Sequence, residues 1–364
     1  MSKSVQAMVQ TGPRAMELRT LPRPKVGDDE ALIRVEACGI CGSDIDMYDL
    51  DQPGYPLIRG HEPVGIVEEI GATKARRHGL KVGDRVAVDP FIRCGTCQYC
   101  LAGLGNLCRG TGTGINALSM IPLSVEPGLW GGFATHLFAT SQMVLYPVPA
   151  DVPAVRATLF NALGAGVSWA VDAAGTRIGS TVAILGCGQR GLTCAVAALG
   201  AGAATVAITG LTKDSYKLAL AEELGVHLTI DVEKQNLAQV IYGALGSGVD
   251  AVVDTTPFAP QSIADAVTIV RPAGRIISAG MKARPADGIP IDAVTMNEIT
   301  IQGVRGVRAD QYQRAIAMIA RSEVPLLRLQ THVFGLKDVE QAIKVLGGEV
   351  PGENPINIVI SNDV

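Results

Sequence analysis

The chain is poor in aromatic residues, 4% of its 364 positions, has only five histidines, and shows no excess of either charge, with 31 basic against 35 acidic side chains. A protein that grips a phosphate backbone needs a basic face. The densest basic group here is Lys74, Arg76 and Arg77, so nucleic acid is not an expected partner. Low complexity is also missing: the 42 glycines and 20 prolines are scattered among apolar runs, and no segment joins low hydrophobicity to high charge as a disordered tail does. Met1 to Gln10 hold one lysine and no apolar core of the length a secretory signal needs, so the expected compartment is the cytoplasm. Between Arg190 and Lys213 no charge occurs, a stretch long enough on count alone to cross a bilayer. It is mostly Ala, Gly and Thr, and Gly200 to Gly202 break it, so it reads as a buried helix, a turn and a buried strand, with no membrane partner.

What is present is a chain 48% hydrophobic and long enough for about two domains with cores of their own. Two textures divide it. Residues 1–150 carry short β-like runs, Ala31 to Ala37, Val64 to Ile70 and Arg85 to Asp89, and six of the eight cysteines. Residues 151–290 alternate apolar strands (Thr181 to Leu185, Thr205 to Thr209, Ala251 to Asp254, Arg275 to Ala279) with helices from Arg190 and around Ser215 to Leu224. That alternation marks βαβ units on a parallel sheet, a doubly wound α/β fold. Residues 291–364 return to mixed helix and strand.

Three constellations carry chemistry. Cys94, Cys97, Cys100 and Cys108 follow one another as C-x2-C-x2-C-x7-C within 94–108. Four thiolates suit a closed tetrahedral, structural zinc; two disulfides are the alternative, which a reducing compartment opposes. Cys41, His61 and Glu62 together suit a second zinc with an open position, able to polarise an alcohol or carbonyl oxygen. Against this stand a redox pair of Cys38 with Cys41 and an ordinary turn histidine at 61. Gly186-Cys187-Gly188-Gln189-Arg190-Gly191 is a complete G-x-G-x-x-G directly after an apolar strand and opening a helix. That context suits a dinucleotide: a tight turn at Gly186, close approach to pyrophosphate at Gly188, and close helix packing at Gly191. A phosphate-free turn between strand and helix is the alternative.

Taken together, and with Cys41-Gly42-Ser43-Asp44, Gly60-His61-Glu62 followed by Gly65 and Gly71, and Trp130-Gly131-Gly132-Phe133-Ala134, the chain resembles the zinc-dependent medium-chain alcohol dehydrogenases over nearly its whole length. The resemblance implies a GroES-like β-rich catalytic domain, a Rossmann domain and a C-terminal return to the first. It implies reversible hydride transfer between an alcohol and NAD or NADP, two zinc ions per chain, and assembly as a dimer or tetramer. Cys41, His61 and a third side chain would hold the catalytic zinc, Ser43 would take the alcohol proton, and Glu62 would be a ligand or a carboxylate behind one. The competing member of the same fold is a zinc-independent quinone or enone reductase, which lacks both cysteine constellations.

Four positions depart from the family pattern. Asp46 stands where a relay histidine is common, so the outer proton path is altered and Ser43 can release its proton to water. Asn161 falls at the third ligand position, where a neutral amide is a poor substitute for an anion; Glu62 is therefore expected to join the ligand set, with Asn161 either beside it or bonded to backbone. Lys74 stands where a small or apolar residue is usual and reads as a surface variation. Gly210 replaces the acid that ends the second Rossmann strand, and Thr212, Lys213 and Lys217 follow it, which leans the cofactor toward NADP or dual use. Thr111 to Pro127, small and apolar but for Glu126, is read as roofing the substrate site and points to a secondary or alicyclic alcohol or its ketone.

Overall fold

The computed structural model describes residues 4–52, 54–110, 117–321 and 326–363. The chain packs as two compact units, one running through Asn161 and resuming at Ile316, the other Ala162–Ala315.

The first unit is built on an antiparallel framework. A seven-stranded sheet runs in the order Gln330–Gly335, Asn357–Ser361, Ala31–Ile40, Glu62–Ile70, Arg85–Val88, Leu145–Pro147, with His136–Ala139 also pairing to Ala31–Ile40. A smaller sheet holds Ala15–Pro22, Ser4–Gly12 and Leu57–Ile58. The strand Ala31–Ile40 is buried along most of its length, as a central strand with covered faces must be. Its inward residues join Val5, Val9, Val67, Val86 and Leu137 in one apolar cluster. Its far end, Cys38 and Ile40, joins a second cluster with Phe133, Val339 and Ile358, so the returning C-terminal segment completes this core. The pairing of Ile358 with Ile40 and Ser361 with Ala37 fixes that return.

Lys74 is not on the surface. It lies on the short helix Ala72–His78 with no exposed area, and its Nζ donates to the carbonyls of Thr140 at 2.6 Å and Met143 at 2.9 Å. Arg77, one turn on, donates to the Ser141 carbonyl at 3.2 Å. The two cations clamp the turn that joins His136–Ala139 to Leu145–Pro147. A residue that reads in the sequence as a surface variation is therefore a built contact, its ammonium satisfied by backbone oxygens as a buried cation requires.

The second unit is a six-stranded sheet with every pairing parallel, in the order Leu228–Asp231, Thr205–Gly210, Thr181–Leu185, Val249–Asp254, Val270–Ser278, Thr300–Gly303. This is the doubly wound order in which the first strand of the unit lies at the centre and the sequence winds outward to both sides. Helices Gln189–Gly200, Ser215–Glu223, Leu237–Leu245 and Gln261–Ile269 make the crossovers. The uncharged run from Arg190 resolves into the twelve-residue helix Gln189–Gly200 and the buried strand that follows. Among the described residues no helix is long and apolar enough to cross a membrane. Thr300–Gly303 belongs to this sheet, so residues 291–315 pack with the second unit, where the sequence reading began the return at 291.

Candidate active site

Cys41, His61 and Glu62 come together in the first unit because two central strands pair in register. Gly39 lies opposite Glu62, and Cys41 follows directly on from the end of Ala31–Ile40. Their ligand atoms all lie within 4.8 Å of one another. Glu62 is fully buried, and its carboxylate occupies the place a side chain at 39 would take: a Cβ on Gly39 would meet Glu62 Oε2 at 2.4 Å. Gly60 has a φ of +87° and a Cβ there would strike Phe133 and the Cys38 sulfur, so glycine is required just before His61.

Asp44 orients the set. It sits in the first turn of the helix Gly42–Asp49, is 2% exposed, and accepts the Cys41 N–H at 2.9 Å while its other oxygen lies 3.5 Å from His61 Nδ1. Burial alone would lower the His61 pKa, but the Asp44 carboxylate and Cys41 raise it well above the ordinary histidine value. With Nδ1 turned to a carboxylate, the other ring nitrogen is the one left for a metal. Arg59, two residues before His61 and buried, donates to Gln10 Oε1 at 2.6 Å, Ser119 O at 2.9 Å and Met47 O at 3.4 Å. It ties the histidine strand to the helix that carries Ser43. Neither Asp44 nor Arg59 received a role from the sequence, although an acid three residues after an N-cap is itself a helix-start signal.

Ser43 is partly exposed and Asp46 exposed on that same helix, three residues apart and so on one face. Asn161 is 4% exposed near the start of the helix Phe160–Gly166. Cys38 is not one of these close donors: it lies in the apolar cluster with Phe133 and Ile360, and burial together with the Asp44 charge pushes its thiol well up. Cys41 and Cys38 thus occupy unlike surroundings, which separates the metal-ligand reading from the redox-pair reading. Of the segment 111–127, residues 111–116 lie outside the described residues.

Cys94, Cys97, Cys100 and Cys108 form a second group, with all four sulfurs within 4.8 Å of one another. Backbone N–H groups face them: Cys97 N donates to Cys94 Sγ at 3.3 Å, Cys94 N to Cys108 Sγ at 3.4 Å, and Gly110 N to Cys108 Sγ at 3.3 Å. The N–H groups of Thr96 and Cys97 draw Cys94 down to about 6, whereas burial pushes Cys100 up to about 12. Amides aimed at sulfur stabilise thiolates, and four soft donors in a closed shell fit zinc with no position left for substrate.

In the second unit the glycine turn has the geometry that close backbone packing demands. Gly186 has a φ of +95°, and a Cβ on Gly191 would lie 1.8 Å from the Gly186 carbonyl oxygen. A Cβ on Gly188 would meet nothing within 4 Å, leaving the helix N-terminus open there. Gln189, 9% exposed in the first turn, has an Nε2 with no hydrogen-bond partner among the described residues. Arg190 stacks on Trp169 at 5.9 Å. Open amides and an orphaned donor at a helix N-terminus fit an anionic pyrophosphate. The turn is braced by residues the sequence did not single out: Thr209 Oγ1 accepts the Gly186 N–H at 3.0 Å, and Thr255 Oγ1 donates to the Leu185 carbonyl at 2.8 Å. Beyond it, Gly210 is buried and Thr212 and Lys213 exposed. Lys217 is not the available cation the sequence suggested, since it pairs with Asp214 at 2.7 Å.

A unit with two metal-capable thiolate groups, joined in sequence to a doubly wound unit with an open glycine turn, defines a zinc- and dinucleotide-dependent dehydrogenase. Comparison with known proteins gives the same class. Residues 27–150 match the alcohol dehydrogenase GroES-like domain and residues 190–321 the zinc-binding dehydrogenase domain. The chain is similar to the "Probable alcohol dehydrogenase adh" of Mycobacterium tuberculosis H37Rv, 37% identical over 361 residues and 98% of each chain. It is also 31% identical to the L-threonine 3-dehydrogenase of Bacillus velezensis, over 90% of this chain and 91% of that one. Among solved structures, the Escherichia coli CFT073 alcohol dehydrogenase rspB, complexed with NADH, superposes with a TM-score of 0.85 at 22% identity, covering 99% of this chain and all of that one. The chain belongs to the zinc-dependent medium-chain dehydrogenase family. It is a zinc-containing, NAD(P)-dependent alcohol oxidoreductase, and the zinc-independent quinone or enone reductase alternative is not favoured.

Proposed function

We propose that the enzyme interconverts a secondary or alicyclic alcohol and its ketone, with Cys41, His61 and Glu62 as the protein ligands of the catalytic zinc. The proximity of those three donors carries the reading. Asn161 brings no negative charge, so without Glu62 the set would offer a single anion, and Glu62 is buried and adjacent to a ligand. Asn161 is assigned to the fourth direction or to backbone beside it. When bound, zinc supplies Lewis acidity toward the substrate oxygen, and the nicotinamide accepts or returns hydride.

The chain's own residues do the rest. Asp44 holds His61 in one tautomer and ring orientation. Ser43, two residues beyond the Cys41 thiolate, takes the alcohol proton, and Asp46, exposed one turn further along the helix, receives it or leaves it to water. Gly186, Gly188, Gln189, Arg190 and Gly191 hold the pyrophosphate, with Gly210, Thr212 and Lys213 nearer the adenosine ribose. Cys94, Cys97, Cys100 and Cys108 hold a structural zinc. The domain reading of 1–150, 151–290 and a return of 291–364 to the catalytic domain is kept in its order, with the return placed from 316 onward. The proposed location is the cytoplasm, a reducing compartment in which cysteines stay available as metal ligands. A homo-oligomer is supported by the edge strand Thr300–Gly303, whose four residues are all exposed beside exposed Ile291 and Met296.

The test pairs a zinc count with a panel of alcohols and ketones assayed with NAD and NADP separately. Glu62→Gln should reduce zinc from two ions to one and abolish turnover, while Ser43→Ala should lower turnover by about 100-fold with both zinc ions retained. A Glu62→Gln enzyme with two zinc ions and full activity would remove Glu62 from the ligand set.

A further inference from the structure

We propose that this enzyme selects NAD over NADP, and that Asp231, at the end of the neighbouring strand, and Glu233, in the turn after it, make the selection in place of an acid at position 210. The inference rests on reading Gly186 to Gly191 as the dinucleotide turn. It goes against a count of lysines in the sequence, which leans toward NADP.

Position 210 is closed to a side chain. Gly210 is buried, and a Cβ on it would lie 2.6 Å from the sulfur of Cys187 and 3.1 Å from Leu218 Cδ2. Cys187 is itself inside the glycine turn and 2% exposed, so its sulfur cannot yield without moving that turn. An acid at the end of Thr205–Gly210 is thus excluded by the motif residue beside it.

Carboxylates reach the same loop from the next strand. The parallel register sets Asp231 directly opposite Gly210. The Thr212 hydroxyl donates to Asp231 Oδ2 at 2.8 Å, and the Thr212 N–H donates to Glu233 Oε2 at 2.8 Å. Asp231 Oδ1 in turn accepts the Glu233 N–H at 3.1 Å. Two acids are therefore fastened to the second residue after Gly210. Burial opposes ionisation of Asp231, but Lys234 and Thr212 hold it below the ordinary carboxylate range.

The nearby cations are committed. Lys217 pairs with Asp214 at 2.7 Å and Lys234 with Asp231 at 3.0 Å, which leaves exposed Lys213. A ribose 2'-hydroxyl can donate to a carboxylate. A 2'-phosphate offers acceptors and negative charge only, and here it would face Asp231 and Glu233, with Lys234 already paired to Asp231 and Lys213, among the described residues, the one nearby cation not held by an acid.

Fluorescence titration of the zinc-loaded enzyme with NADH and with NADPH tests this through binding alone. Wild type should bind NADH at least about tenfold more tightly, the size expected for a few unit charges in partly screened surroundings. Asp231→Asn with Glu233→Gln should narrow the ratio by about fivefold or more, chiefly by tightening NADPH, and raised salt should narrow it in wild type. Glu233→Gln alone, at an exposed position, carries the same test if the double variant does not fold. NADPH binding as tight as NADH in wild type, or a ratio unmoved by neutralising the acids, would overturn the inference and leave the dinucleotide reading intact. Binding of neither nucleotide would instead overturn that reading, and the inference with it.

Discussion

Lys74 offers the most quantitative test of the packing. Burial lowers its ammonium from the ordinary 10.5 to about 8, against a smaller opposing pull from Asp29. At about 1.4 kcal/mol per pH unit, that gap makes the charged form cost about 3 kcal/mol in the folded state relative to the unfolded one. The sign follows from the proton count. The folded pKa lies below the unfolded one, so between pH 8 and 10.5 the unfolded chain binds more protons, and stability rises with pH through that window. Lys74→Met removes this titration. It also strips the donor from the Thr140 and Met143 carbonyls, which costs about 1–3 kcal/mol for each buried acceptor left without a partner, a loss nearly independent of pH. The difference in unfolding free energy between wild type and Lys74→Met should therefore grow by about 3 kcal/mol from pH 7.5 to 10.5. Urea unfolding in a Trp169→Phe background reads it, because Trp130 then reports from the same unit, where it packs in the cluster that contains Met143. Other groups that titrate in this range cancel in the difference. A difference that stays constant across the window would show that Lys74 is charged at no cost, and the reasoning from its burial would fail.

Two further outcomes follow from the same geometry. Gly191→Ala would place a methyl 1.8 Å from the Gly186 carbonyl oxygen, and since backbone cannot give way cheaply, NADH affinity measured by fluorescence should fall by about 100-fold or more while the zinc count stays at two. Cys97→Ser should lower the zinc count from two to one and reduce thermal stability by several degrees, since a structural zinc contributes folding free energy directly; a variant with two zinc ions and an unchanged melting temperature would contradict the closed four-sulfur site.

What the sequence disclosed depended on how local the chemistry is. The four-cysteine loop and the glycine turn are each contained in fewer than twenty consecutive residues, so spacing alone carries them, and the strand Thr181–Leu185 begins and ends where the apolar run does. Cys41 and the pair His61 and Glu62 are brought together by pairing of Ala31–Ile40 with Glu62–Ile70, so the residue types could suggest one site but left open the redox pair and the turn histidine until the resemblance favoured a metal. Lys74 and Arg59 were misread or passed over because their character depends on partners far along the chain, carbonyls at 140 and 143 for the one and Gln10 and Ser119 for the other, whereas the partner of Lys217, Asp214, stands only three residues before it. A charged residue in sequence declares only that it needs a partner, and solvent is the default one. The same dependence explains the glycines. Gly39 and Gly210 look alike in sequence, yet at 39 the missing side chain makes room for the Glu62 carboxylate, and at 210 it makes room for the Cys187 sulfur. In the first case a glycine admits a negative charge to the proposed zinc site; in the second it keeps a side chain off one strand, where the proposal gives the role to Asp231 at the end of the next strand and Glu233 in the turn after it.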